Sequence, residues 1–170
     1  PVRVLAAVAA PDDLDAYGLT PLKVEFEVAR ITSALAGLPH EFIPLDPPVT
    51  LVRLETALRE HRPHLLHLLA HGQHSARRAQ SALYLQDATG HVALVPEADF
   101  CNLFERLGQA RPHLVFLAAC ESAKRATLDA FAGIAPKLVQ AGVPAVIGMQ
   151  DTVSIGSARE MTPAFYGELF

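Results

Sequence analysis

Short apolar runs alternate along the chain with segments that have the spacing of helices. The apolar runs are continuous and bounded by turn or helix-ending residues, which predicts buried β-strands. These strands are predicted at Val2–Ala9, Glu41–Leu45, His64–Ala70, His113–Ala119 and Pro144–Met149. The helices are predicted at Leu22–Leu38, Leu51–Glu60, Pro96–Leu107, Gly133–Ala141 and Ser157–Phe170.

This alternation predicts an α/β fold with helices on both faces of a mostly parallel sheet, in three layers. Ala82–Gln86 and His91–Val95 flank the turn residues of positions 87–90, which predicts a small hairpin. Thr50 is positioned to cap the helix that follows it. In such folds, ligands bind at the carboxyl ends of the strands, so the residues that follow each strand are the candidates for function.

Composition narrows the class of protein. The 170 residues favour one domain, and 51% hydrophobic against 19% charged residues indicates a packed core. A net charge of −4 argues against a nucleic-acid partner, and no apolar run reaches the ~18 residues of a membrane span. Two cysteines, Cys101 and Cys120, form no disulfide framework, which favours a reducing cytoplasm. The chain starts without Met and ends inside a helical pattern, which indicates a piece excised from a longer protein.

Two of the predicted strands resemble each other. Arg62–Gly72 and Arg111–Glu121 both begin Arg-Pro-His-Leu, and seven residues beyond the shared His lie His71 and Cys120. In neighbouring parallel strands in register, about 4.8 Å apart, these two side chains would sit side by side at the carboxyl edge of the sheet. A base beside a thiol is what nucleophilic thiol catalysis requires. A chance likeness between two Leu-rich strands is the alternative.

Small residues surround both reactive side chains and leave room for a substrate backbone. They are Ala70, Gly72, Ala118 and Ala119. The Gly72 N–H, together with the Cys120 N–H, could form an oxyanion hole.

Ordered segments along the chain resemble the CHAT family, a bacterial, caspase-like branch related to separases and often fused to repeat or sensor modules. The segments read HLLHLLAHG, SALYLQDATG, HLVFLAACESA, GIAPKLVQAGVPAVIGMQDTV and AFYGELF, and RVLAAVA with LKVEFEVARITSAL resembles the usual opening. The resemblance implies a single domain over residues 1–170 and a caspase-like sheet with its parallel strands in the order 2-1-3-4-5.

The resemblance also implies peptide-bond hydrolysis through an acyl-enzyme, with His71 and Cys120 as the catalytic dyad. Gly72 carries over as an oxyanion-hole donor. The expected partners are a protein or peptide substrate and, in the parent chain, sensor or repeat domains. No cofactor and no metal are expected.

Aspartates follow the strands that flank the predicted dyad. The loops after the first and fifth strands build the specificity pocket in caspase-like enzymes, and here they carry Asp12, Asp13 and Asp151. Acidic groups there would favour Arg or Lys before the scissile bond. The alternative is that these carboxylates are solvated, or that Asp12 caps a short turn.

Other chemically active residues are better explained by structure. His64, His67 and His71 would share one face of a helix and could then bind zinc, but on a strand His64 and His67 point to opposite faces. We therefore expect His64 and His67 to be packed or hydrogen-bonded. His74 is expected in an exposed loop, and Cys101 in the core.

Two other classes compete with a peptidase. A catalytically inactive CHAT-like module would keep the fold and present the cleft or helices to a partner. A nucleotide-binding α/β domain is the weaker candidate, because no GxGxxG or GxxxxGK[ST] loop follows a strand.

Overall fold

The structure, a computed structural model, describes residues 1–119, 125–149 and 164. The strands are β1 (Val2–Val8), β2 (His40–Leu45), β3 (Leu65–Leu69), β4 (His71–Ser75), β5 (Gln80–Gln86), β6 (Val92–Pro96), β7 (Leu114–Ala118) and β8 (Ala145–Gly148). The helices are α1 (Val24–Ala34), α2 (Leu51–His61), α3 (Glu97–Leu107) and α4 (Arg125–Gln140), with short 3-10 turns at Leu14–Tyr17 and Gly108–Ala110. The predicted helix at Ser157–Phe170 lies outside the described residues.

A parallel sheet with the order β2-β1-β3-β7-β8 forms the centre of the fold. Every neighbouring pair in it is parallel, and the order is the predicted one once the hairpin strands are set aside. The predicted α/β class with a caspase-like order of strands is therefore confirmed.

The two similar segments of the sequence are neighbouring strands. β3 and β7 pair in register from Leu65 opposite Leu114 to Leu69 opposite Ala118. The shared histidines before them, His64 and His113, have ring centroids 5.6 Å apart. Likeness in sequence thus corresponds to equal height in the sheet.

Helices cover both faces of this sheet. Leu5 and Ala7 of β1 face a large core that includes side chains of α2, α3 and α4, among them Leu54, Phe100 and Phe131. Val4 and Ala6 face a second core with Ile31 and Leu35, at the end of α1. Strands buried on both faces explain the continuous apolar runs, since successive side chains enter different layers. Among the described residues, no helix is long and apolar enough to cross a bilayer.

A second sheet, with the order β4-β5-β6, is antiparallel. The predicted hairpin is confirmed as β5 and β6, and its turn is held by Asp87, whose carboxylate accepts from the N–H groups of Thr89 and His91. β4 was not predicted: the polar sequence HGQHS suggests a loop, yet it pairs with β5 over its whole length. His74 consequently lies in a strand, half-buried, with Nδ1 3.0 Å from the Ser81 hydroxyl, so its expected placement in an exposed loop was wrong.

The ends of two helices show where sequence signals succeed and fail. Thr50 caps α2 as predicted, its hydroxyl accepting from the Arg53 N–H. α4 begins at Arg125, well before the predicted start at Gly133. Gly133 lies inside the helix. A Cβ at this position would come within 2.6 Å of the Ser81 hydroxyl oxygen, so glycine permits close packing against β5. A glycine that serves packing was mistaken for a boundary.

His67 lies in the middle of the parallel sheet and is almost fully buried. Its ring packs on Phe116 with the centroids 4.9 Å apart, as expected for a structural histidine. Burial, with a smaller contribution from the positive charge of Arg30, lowers the pKa of His67 to about 3. The imidazole is therefore neutral in the folded protein at ordinary pH.

The neutral state of His67 predicts a loss of stability in acid. In the unfolded chain this histidine titrates near the ordinary value of about 6.5. Between that pH and about 3, only the unfolded state takes up the proton, so the free energy of unfolding falls as pH falls, by up to about 1.4 kcal/mol per pH unit.

Denaturant titrations between pH 7 and pH 4 measure this effect. His67→Leu should remove its share of the slope, whereas the exposed His91→Leu should keep it. Equal slopes in the two variants would contradict a neutral His67.

Candidate active site

The carboxyl edge of β3 and β7 is where the predicted dyad falls. The last pair in register is Leu69 with Ala118, and beyond it the Ala70 N–H still donates to the Ala118 carbonyl at 3.3 Å. His71 and Cys120 each come two residues after that pair in the sequence. The strands that precede them in the sequence are adjacent and parallel, as predicted, while Cys120 itself lies outside the described residues, so the pairing of the two side chains stays a prediction.

The imidazole of His71 has a defined orientation. The residue is 1% exposed, and its Nε2 lies 2.8 Å from the Thr20 carbonyl oxygen. A carbonyl can only accept, so in the neutral ring Nε2 carries the proton and donates it. Nδ1 is then the basic nitrogen, which is the atom that a general base uses. Sequence reasoning missed Thr20 because a backbone carbonyl has no residue signature.

The loop that carries Thr20 is fixed by the hairpin. The Asp12 N–H donates to the Gly90 carbonyl at 3.0 Å, and the Asp13 carboxylate accepts from the Val92 N–H at 2.8 Å. The ring of Tyr17 meets that of Tyr84 edge-on, with centroids 5.7 Å apart. These contacts position the acceptor of His71 from a part of the chain distant in sequence.

Tyr84 lies directly opposite His71 in the antiparallel pairing of β4 with β5. It is 8% exposed, and its hydroxyl donates to the Gln73 side-chain oxygen at 2.7 Å. Burial raises the pKa of the Tyr84 phenol, so it stays neutral and keeps its proton for this hydrogen bond. The strand that begins with His71 is therefore bound to its neighbour by side chains as well as by its backbone.

Gly72, the predicted oxyanion-hole donor, already has a partner. Its N–H donates to the Thr127 hydroxyl at 3.0 Å, and that hydroxyl donates to the Gly72 carbonyl at 3.1 Å. Thr127 is fully buried at the start of α4. The Gly72 N–H can therefore serve an oxyanion only if it exchanges this hydrogen bond. Sequence reasoning missed Thr127, which has no motif around it.

The three aspartates predicted to bind substrate differ in their surroundings, and Cys101 lies in the core. Asp13 is committed to the Val92 N–H, Asp12 is exposed beside Gly90, and Asp151 lies outside the described residues. Cys101 is 7% exposed in the core, and burial, reinforced by the nearby Glu97 charge, raises its pKa to about 11. A thiol that is protonated at neutral pH is a poor nucleophile, so the expected core role of Cys101 is confirmed.

His64 is also structural. Its Nδ1 accepts from the Arg3 N–H at 2.9 Å, at the edge of the sheet opposite to the candidate site. Burial, with smaller contributions from the charges of Arg3 and His113, lowers its pKa. No group of three His, Cys, Asp or Glu residues in the described part of the chain is arranged to hold a metal ion.

Comparison with known families agrees with the fold. The family model of the CHAT domain matches residues 1–170, so the chain belongs to the CHAT domain family. CHAT domains are related to caspase-like cysteine peptidases, which makes this a protease-like module. A search of curated proteins found no match to the chain.

Close packing at Gly72 leads to a prediction about stability. A Cβ at this position would come within 2.8 Å of the Ala130 Cβ and 3.3 Å of the Ala82 carbonyl oxygen. Gly72→Ala should therefore destabilise the protein by about 1–3 kcal/mol, the usual range for overpacking.

Removing the opposing methyl group tests the cause. Ala130→Gly alone should cost about 1 kcal/mol, as glycine does inside a helix. The double variant should be more stable than the sum of the two single effects predicts, measured by denaturant unfolding. Simple additivity would mean that this contact does not limit residue 72.

Proposed function

We propose that this protein is a cysteine endopeptidase in which Cys120 is the nucleophile and His71 the base. The observation that carries the proposal is the orientation of His71, whose Nε2–H donates to Thr20 and so makes Nδ1 the basic nitrogen. The equal offset of His71 and Cys120 from the register of β3 and β7 supports their pairing. Cys101, the other cysteine of the chain, is buried in the core. The expected substrate is a protein or peptide, and the expected location is the cytoplasm.

The proposed reaction has two halves. Nδ1 of His71 takes the thiol proton, and the sulfur of Cys120 forms a bond to the scissile carbonyl carbon. The C–N bond then breaks, with the proton passing from His71 to the leaving amine, and a thioester remains. Water, deprotonated by His71, attacks the thioester and releases the acid and the thiol.

The charge on the carbonyl oxygen needs hydrogen-bond donors. We propose the backbone N–H groups of Gly72 and Cys120 for this role. Gly72 exchanges Thr127 for the oxyanion as the tetrahedral intermediate forms. Its carbonyl can keep the second hydrogen bond to Thr127 during that exchange.

A catalytically inactive interaction module is the second candidate. One observation favours it: the Gly72 N–H is satisfied within the protein by Thr127. A module of this kind would use the same fold to bind a partner without forming a thioester.

Removal of either member of the dyad distinguishes the two candidates. Cys120→Ala and His71→Ala should each abolish peptide hydrolysis and leave the fold intact, although His71→Ala should also lose some stability because its buried imidazole no longer bonds to the Thr20 carbonyl. The readouts are cleavage of a peptide mixture and circular dichroism.

Cys101→Ala is the matched control, since it removes the other thiol. It should keep activity and lose about 1–2 kcal/mol of stability as a small buried side chain is truncated. Activity that survives in the Cys120 variant would eliminate the thiol mechanism, and a wild-type protein that neither cleaves peptides nor binds a thiol-directed peptide probe would favour the interaction module.

We also propose a preference for Arg or Lys before the scissile bond. Asp12 and Asp151 are the carboxylates proposed to bind the cation, whereas Asp13 contributes its negative charge while it holds Val92. A charge-assisted hydrogen bond is about twice as strong as a neutral one, so a cationic side chain gains most from such a pocket.

A peptide library scored at the residue before the cut tests this preference. Asp12→Asn and Asp151→Asn should each reduce kcat/KM for Arg and Lys peptides while leaving apolar peptides nearly unchanged. Glu60→Gln, at an exposed position on α2, is the charge-matched control. A preference for acidic or apolar residues that neither aspartate variant changes would overturn the assignment and leave the dyad untouched.

A further inference from the structure

Thr127 links the strand that begins with His71 to the first turn of α4. It lies in the first turn of α4, which begins at Arg125, five residues after Cys120 in the sequence. Its hydroxyl makes both of its hydrogen bonds to one residue, Gly72, which follows His71 directly. The side chain is 0% exposed, so these bonds form away from water.

Packing fixes the same contact one turn further along α4. Ala130 lies so close to Gly72 that no Cβ fits there without displacement. The start of α4 is thus held against the backbone of β4 by the two hydrogen bonds of Thr127 and by the close contact of Ala130. On its other side, His71 is held by the Thr20 carbonyl.

We propose that Thr127 is a positioning residue for His71: it holds the peptide after His71 against the first turn of α4 and so fixes the orientation of the base. The proposal rests on the dyad proposed above. Thr127 touches neither the substrate nor the reacting atoms and acts through Gly72.

The hydroxyl group matters beyond its volume. Valine has nearly the same shape but can neither accept from the Gly72 N–H nor donate to its carbonyl. Both of those groups would then be buried without this partner, which favours rotation of the peptide away from its present orientation. Serine keeps the hydroxyl and so should keep both bonds.

The experiment compares Thr127→Val and Thr127→Ser with the wild type and with Ile134→Val. Ile134 is a fully buried residue of the same helix whose side chain packs in the large apolar core, so it controls for general destabilisation. Thr127→Ala replaces the valine variant if that one does not fold.

The first readout is NMR of the His71 ring nitrogens, assigned with His71→Gln. In the wild type they should have the shifts of a single tautomer protonated at Nε2. In Thr127→Val they should move toward the averaged values of an exposed histidine, while Thr127→Ser and Ile134→Val should match the wild type.

The second readout is the rate at which iodoacetamide alkylates Cys120 at pH 7, followed on the Cys120 peptide by mass spectrometry. In this displacement the sulfur–carbon bond forms as iodide leaves, so no oxyanion is involved and the reaction reports only the nucleophile and its base. We expect Thr127→Val to be about fivefold slower and Thr127→Ser to lie within about twofold of the wild type.

Two results would overturn the proposal. A folded Thr127→Val or Thr127→Ala with wild-type nitrogen shifts and alkylation overturns the proposal, and so does an Ile134→Val variant that is equally perturbed. If Cys120 is alkylated equally fast in the wild type and in His71→Ala, the dyad hypothesis is wrong. The shifts of the ring nitrogens alone then decide whether Thr127 positions His71.

Discussion

The in-register pairing of β3 with β7 is the constraint on which the candidate site depends. Parallel strands in register bring equal sequence offsets to equal heights, so the residues that leave the two strands do so at the same edge. The chain then departs differently on the two sides, into β4 after β3 and toward α4 after β7. A shift of one residue in this register would send the side chains of a whole strand to the opposite face. The register therefore fixes both the core and the place of the chemistry.

Much of this could be predicted from the sequence, for identifiable physical reasons. Strands buried on both faces appear as continuous apolar runs, which reveals β1, β3 and β7 without any template. The repeated Arg-Pro-His-Leu reports the register, because each proline fixes where its strand begins. The polar strand β4 has neither signal: its His71 side chain contacts the loop before α1, its Gly72 backbone contacts α4, and only its pairing with β5 makes it a strand.

The residues that position His71 could not be predicted from the sequence, for a related reason. Thr20 acts through its carbonyl, which every residue possesses, and Thr127 acts because α4 brings it to Gly72. Sequence patterns report side-chain chemistry and periodicity, whereas these contacts depend on how loops and helix ends are packed. The aspartates show what residue type alone leaves open. Asp13 has the residue type of a specificity determinant, yet its carboxylate is already occupied by the backbone of β6.

The hydrogen bonds around His71 come from three separate segments of the chain, and that separation has a physical consequence. Its ring is held from the loop after β1, its strand by β5, and the next peptide by α4. Each contact alone contributes roughly 1 kcal/mol, which is too little to hold a side chain in one orientation against its rotational freedom. Acting together on a residue that is 1% exposed, they leave the imidazole little freedom to turn. The loss of entropy is thus incurred when the protein folds, and a substrate would meet a base already oriented, which is the condition under which proximity accelerates a reaction. The same reasoning explains why the hairpin matters to a site it does not enter: by fixing Asp12 and Asp13, it fixes the loop that supplies the acceptor for Nε2.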